Sequence, residues 1–260
     1  MLGKNPVEHA EMISKLLTNI FLRSLFIHSS LNYPRVQNLG FCFSVIPVLK
    51  QLGLTPAREA VFLKRHLQLF NTHPYLSGAI IGSVVKEELR AEGREGEAVT
   101  RLKNTFMAPY AAMGDPLFSG ALKPLCSTVS VLLAFMGFLF APVVYLLLFN
   151  PLHLWIRMKS FLEGYREGNA AFKYISALNL PRLTGIIRLM SLAAAGVLSS
   201  FLLFSFGTEM KAGFPENIAV SVSGLLFILL SYGLIKAGIS QTVLLYSSAS
   251  LILLGSWFLC

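Results

Sequence analysis

Four apolar runs, at residues 125–149, 189–206, 218–235 and 237–260, constrain this chain more than any other feature. A helix needs about 20 apolar residues to cross a bilayer, and each run reaches or approaches that length. Backbone in lipid must satisfy its own hydrogen bonds, so runs of this kind span as helices. The composition agrees with a polytopic membrane protein: 54% of the 260 residues are hydrophobic and 13% charged.

The N-terminal half is shorter-winded. Between residues 13 and 31, Ile13, Leu16, Leu17, Ile20, Leu25 and Ile27 recur mostly every three or four positions, with Lys15, Asn19 and Arg23 between them. That spacing predicts an amphipathic helix on a membrane surface or a partner. The charge-free run 36–49, bounded by Arg35 and Lys50, would reach about two thirds of the way through a hydrocarbon core, which reads as a re-entrant half. Thr55-Pro56 marks an N-cap and first helical position for a helix over 57–70. A second interrupted run, 67–85, contains Asn71-Thr72-His73-Pro74, Gly78 and Gly82. Asn71 and Thr72 either cap amides freed at that break or offer hydrogen bonds to a hydroxylated solute. The mixed charge run 86–97 reads as a solvated hairpin.

Residues 107–120 carry Pro109, Gly114 and Pro116 around Asp115, the only aspartate in the chain. Two readings fit: a broken-helix hairpin lining a solute site, or a loop just outside the bilayer in which Asp115 caps a helix. The run to residue 149 contains Gly137 and Pro142, so it forms one kinked span or two pieces. The expected fold is therefore an all-α membrane protein: amphipathic N-terminal helices, re-entrant broken hairpins and several transmembrane helices. Its parts are an N-terminal arm (1–35), the hairpins and first spans (36–149), a basic segment (150–188) and C-terminal transmembrane helices (189–260).

Charge sets the topology. The net charge is +9, and Arg157, Lys159, Arg166, Lys173, Arg182 and Arg188 make 150–188 a cytoplasmic segment by the positive-inside rule. The first hundred residues also read as cytoplasmic, with no secretory signal at the start, so the chain between them either crosses an even number of times or forms hairpins that enter and return on one side. The last three runs then cross alternately, with 207–217 as a short outer loop and the C-terminus external. Small residues at 193–196 and 247–250 suggest close-packed helix faces. The basic residues flank hydrophobic segments, which suits anionic lipid rather than nucleic acid.

Catalytic motifs are absent. There is no phosphate-binding loop with lysine, no dinucleotide fingerprint and no metalloprotease helix, and the acids do not cluster for a metal. Cys42, Cys126 and Cys260 lie too far apart for a zinc or disulfide pattern and read as small buried hydrophobes; His28, His66 and His153 read as packing or interface residues. Solute binding without a cofactor or metal fits better than catalysis.

Several stretches, in order, resemble the IID membrane component of mannose/fructose/sorbose-type sugar phosphotransferase systems. They are Leu22-Arg23-Ser24, the run from Asn32 to Phe41, Ser44-Val45-Ile46-Pro47, Lys64-Arg65-His66-Leu67, Phe70-Asn71-Thr72-His73-Pro74-Tyr75, Gly114-Asp115-Pro116-Leu117-Phe118, Leu148-Phe149-Asn150 and Gly164-Tyr165-Arg166-Glu167-Gly168. The resemblance implies a bacterial inner-membrane subunit, itself not phosphorylated, that pairs with a IIC subunit of related, inverted architecture. Cytoplasmic IIA and IIB phosphocarriers would pass phosphate to a hexose or amino sugar as it enters, and IIC/IID pairs would assemble further. On the matching motifs, Asn71, Thr72 and Asp115 would hydrogen-bond the sugar, with Gln37 and Asn38 beside them. Phe118 would stack on a pyranose or pack within its hairpin. Ser119, where the family often has tryptophan, Lys123 in place of arginine, and the shortened loop 207–217 motivate an alternative: a regulatory or scaffold subunit that has lost transport.

Overall fold

The structure, a computed structural model, describes residues 6–94, 96–170, 172, 176–209 and 214–259. It divides into two compact units, Met1–Ala194 and Ala195–Cys260. In the first unit the arm forms α1 (Pro6–Ser24), with Leu16 and Ile20 buried at the predicted spacing. It packs on α2 (Asn38–Leu52), which is 15 residues long and so rises about 22 Å, short of a full crossing. Pro47 lies inside α2 and cannot donate to the carbonyl of Phe43; Arg23 of α1 supplies that bond instead, Nη1 to oxygen at 3.4 Å, with its guanidinium 4.6 Å from the Phe43 ring.

Helix α3 (Pro56–His66) begins at the expected Thr55-Pro56. It stops four residues short of the expected 57–70, because 67–70 bonds elsewhere: the Leu67 carbonyl accepts from Arg35 and Asn38 side chains, and Phe70 exchanges backbone bonds with Arg35 and Gln37. After an irregular loop, α4 (Ser77–Arg90) packs on α5 (Gly96–Gly114) and most extensively on α7 (Ala141–Glu167). Glycines set the approach of α4 to α7. A Cβ on Gly82 would lie 2.2 Å from the Phe161 carbonyl oxygen, and one on Gly164 would lie 2.2 Å from that of Ala79.

The expected break at 107–120 is not there. The backbone stays helical through α5, a π-helical stretch (Asp115–Leu122) and α6 (Lys123–Phe135), one helix of 40 residues. The wider turn takes up Pro116, and the Lys123 amide reaches back five residues to the Phe118 carbonyl. The reversal comes later, at residues 136–140, where Gly137 has φ +88° and α6 hands over to α7. The run 125–149 is thus two pieces. Residues 150–167 of the basic segment continue α7, and 180–188 open α8 (Leu180–Glu209). Cys42 and Cys126 are buried; Cys260 lies outside the described residues.

The second unit holds the remainder of α8, α9 (Phe214–Lys236) and α10 (Gln241–Leu259). Residues 210–213 of the expected outer loop lie outside the described residues, and helix occupies the rest of it. The small-residue patches do not pack as expected: Gly196 has nothing within 4 Å of a built Cβ, and Ser247 and Ser250 are exposed. On α9, Leu225, Phe227 and Leu229 are exposed, an apolar surface of the kind lipid or a neighbouring chain covers. Among the described residues, three helices are long and apolar enough to cross a membrane: Gly96–Phe135, Ala141–Glu167 and Leu180–Leu202.

The charge run 86–97 also departs from expectation. Glu88 is fully buried on α4, its Oε1 2.9 Å from His66 Nε2 and 3.4 Å from Arg65 Nε. Lys103 of α5 lies beside them, donating to the Arg65 carbonyl at 3.2 Å and sitting 4.7 Å from the Phe41 ring. Burial, chiefly, lowers the His66 pKa from 6.5 to about 4; Lys103 and Arg65 add to the shift, and the bond to Glu88 opposes it. An unfolded chain binds this proton near pH 6.5 and the folded chain does not. Stability from neutral His66 is therefore intact above pH 6.5 and lost as pH falls toward 4. Melting temperature measured from pH 7.5 to 5 should fall with pH, and the His66→Phe variant should show a flatter profile.

Candidate functional site

Three segments distant in sequence meet here: residues 32–38, the loop 71–75, and the stretch from Met107 through the π-helical turn. Residues 32–38 fold into a tight turn closed by the reciprocal Asn32 and Val36 backbone bonds of 3.1 and 2.8 Å. Val36 has φ +54°, a strained geometry for a β-branched residue, which those bonds and the bridge to Phe70 hold in place. The turn presents Gln37 to the second segment. Its Nε2 donates to the Thr72 carbonyl at 2.7 Å, and its Oε1 accepts from the Thr72 amide at 3.2 Å, as a neighbouring strand would. Nε2 also lies 2.9 Å from His28 Nε2.

Asn38 is occupied too, donating to the Leu67 carbonyl at 2.8 Å and accepting from Asn32 at 2.5 Å. Thr72 Oγ1 donates to the Met107 carbonyl at 3.0 Å, fastening the loop to α5. The buried Gln37, Asn38 and Thr72 side chains therefore hold the loop in position. Asn71 and Asp115 differ from them. Both are exposed, and among the described residues neither side chain has a hydrogen bond or ion pair. Asn71 is fixed through its backbone amide, 3.3 Å from Met107 Sδ. Asp115 opens the π-helical stretch, next to Gly114.

His73 joins the two. A Cβ on Gly114 would fall 2.4 Å from the Cβ of His73, so the loop lies directly against the residue preceding Asp115. The His73 ring stacks on Phe118, centroids 4.9 Å apart at 13°, while Tyr75 meets Phe118 edge-on at 4.9 Å. Phe118 is 0% exposed, and its ring packs within the chain. Tyr75 in turn stacks on His153 of α7 at 4.4 Å and 4°. Four residues on, Arg157 donates to the Ser24 carbonyl at the C-terminal end of α1, which also accepts from the Ile27 amide, and its positive charge suits that end of the helix.

In the sequence His73 and Tyr75 appear only within a motif, Arg157 only as a basic residue setting topology, and His153 only as packing or interface. The available signal was the spacing of His153 and Arg157, which puts two polar side chains on one face of an apolar helix. Among the described residues, no three His, Cys, Asp or Glu side chains come together to hold a metal ion. The arrangement offers a supported loop carrying an exposed amide, packed through His73 against the residue preceding an exposed carboxylate.

Residues 11–260 match the family described as PTS system mannose/fructose/sorbose family IID component. The chain is 31% identical over 192 residues to the fructose permease IID component of Bacillus subtilis (strain 168), covering 73% of this chain and 70% of that one. It is 34% identical over 185 residues to the sorbose-specific EIID component of Klebsiella pneumoniae, covering 70% and 68%. To the mannose-specific EIID component of Escherichia coli (strain K12) it is 34% identical over 187 residues, covering 70% and 66%. Two solved structures share the fold at 25% identity. One, described as "Structure of membrane protein", has a TM-score of 0.71 and covers 93% of this chain and 96% of its own. The other belongs to "CryoEM Structure of Mannose Transporter ManYZ and Microcin E492 (MceA) complex", with a TM-score of 0.56 and coverage of 93% and 95%.

Proposed function

The chain belongs to the IID components of the mannose/fructose/sorbose family of the phosphotransferase system, and from that premise we propose that it binds and translocates a sugar together with a IIC subunit. The sugar is a hexose or amino sugar, phosphorylated by IIB on entry. IIA and IIB carry the phosphate, and this chain supplies no catalytic group. It resides in the bacterial inner membrane with its N-terminus in the cytoplasm and its C-terminus outside, in an oligomer of IIC/IID pairs. Likeness to a chain of the ManYZ mannose transporter supports this reading over a transport-deficient scaffold.

The observation that carries it is the free pair, Asn71 and Asp115, on the edge where the 71–75 loop meets the π-helical turn. A carboxylate accepts charge-assisted hydrogen bonds from neighbouring sugar hydroxyls, and an amide both donates and accepts. Gln37, Asn38 and Thr72 hold the loop that carries Asn71, and Phe118 supports His73 beneath it.

The test is the IIC/IID pair reconstituted with phospho-IIB and a panel of hexoses and amino sugars. At least one sugar should bind and be phosphorylated; none doing so overturns the proposal. Asp115→Asn should weaken sugar binding by about ten- to a hundredfold while assembly with IIC is unchanged. Unchanged affinity would remove Asp115 from the site.

A further inference from the structure

Away from that edge, a groove of about 1060 Å³ runs between α3 and the first turns of α5. Lys64 and Arg65 line one wall, Arg101 and Asn104 the other, and Glu97 is its one acid among the described residues. Lys64 and Arg101 are exposed, and among the described residues their side chains make no hydrogen bond or ion pair. Arg65 is different in kind. It is 8% exposed, and its Nη1 is a buried nitrogen without a partner. That nitrogen lies against Gly96, a lining residue of the groove: a Cβ there would be 3.0 Å from it.

Among the described residues the floor of the groove is short of negative charge. Glu88 lies 3.4 Å from Arg65 Nε, Lys103 donates instead to the Arg65 carbonyl, and His66, which bonds Glu88, is neutral. Two free cations on the rim, a guanidinium at the base whose Nη2 donates to the Gly93 carbonyl at 3.1 Å while its Nη1 is left without a partner, and the buried Lys103 below form a site for a compact, multiply charged anion. Guanidinium groups match the oxygens of phosphate in pairs, and lysine adds a point charge.

We propose that the α3–α5 groove binds a phosphate group, held by Lys64 and Arg101 at the rim with Arg65 beneath. Two sources carry this chemistry, a soluble phosphomonoester or inorganic phosphate, and the headgroup of an anionic lipid. The site is distinct from Asn71 and Asp115. Along the continuous helix, Arg101 and Asp115 are 14 residues apart, about 21 Å. Occupancy of the groove does not depend on sugar translocation.

The experiment uses the full chain with its IIC partner in phosphatidylcholine nanodiscs. Binding is measured for inorganic phosphate, for mannose 6-phosphate and for unphosphorylated mannose, and phosphatidylglycerol retention is followed by native mass spectrometry. Saturable binding of either soluble phosphate, weakened about tenfold or more in the Lys64→Ala/Arg101→Ala variant, supports the site and a soluble source. Retention of phosphatidylglycerol that the same variant loses supports the site and a lipid source. The Lys64→Arg/Arg101→Lys variant should keep whichever binding is found. Unphosphorylated mannose serves as the control for the sugar site, because its binding should not respond to either variant. If no probe saturates, or the alanine variant binds as the parent does, the proposal is overturned.

Discussion

Leucine in place of Gly82 or Gly164 is expected to prevent the first unit from folding, and even alanine at either position should destabilise it by about 3 kcal/mol or more. The reason is the direction in which the space is closed. Each missing Cβ would meet backbone 2.2 Å away, the Phe161 and Ala79 carbonyl oxygens, and backbone cannot rotate aside as a long side chain would. Relief requires α4 and α7 to separate. That would open the contact that buries Ala79, Ile156 and Phe161, losing packing along the pair's length. Yield of folded chain in the membrane and melting temperature in detergent provide the measurement. Gly185→Leu is the control, since nothing stands within 4 Å of a Cβ there. A Gly164→Ala variant that melts within about 2 °C of the parent would show that the two helices are not held at this distance.

The second large effect is expected at Glu88. Glu88→Ala should cost about 3–5 kcal/mol, because it leaves the Arg65 guanidinium buried without its carboxylate, beside the buried Lys103. Glu88→Gln should cost less, since an amide oxygen still accepts from His66. Exchanging Arg65 and Glu88 together for methionine and leucine should recover part of the loss, because no unpaired guanidinium then remains. Denaturant melts of the four proteins distinguish a charge effect from a packing effect. If Glu88→Ala and the double exchange are equally unstable, shape and not charge governs this position.

Both effects involve residues whose importance was unevenly legible. The runs of bilayer length, the α1 stripe of Leu16 and Ile20, and the Thr55-Pro56 start of α3 are local patterns, and local patterns survive into the structure. Glu88 was misread as solvated because its neighbours are charged. Its spacing said otherwise: Ile81, Val84, Val85 and Glu88 fall at intervals of three and four on one helix face, so the carboxylate continues the buried stripe. The supposed break at 107–120 failed for another reason. Proline and glycine lower helix propensity one residue at a time, whereas a π-helical turn absorbs Pro116 within a helix that tertiary contacts hold together. At the proposed sugar site, the motifs put forward Asn71 and Asp115. Their common edge depends on His73 meeting Gly114, a contact across 41 positions that no periodicity encodes.

The eight residues from Asp115 to Leu122 also act as a phase shifter. A helix advances about 100° per residue, so the additional residue in a widened turn rotates everything downstream by roughly that angle relative to what precedes it. Lys123 stands 6.0 Å from the Phe149 ring because of this offset, and Cys126 turns inward by the same means. Within this stretch the number of residues, more than their identity, determines which side of α6 looks at α7.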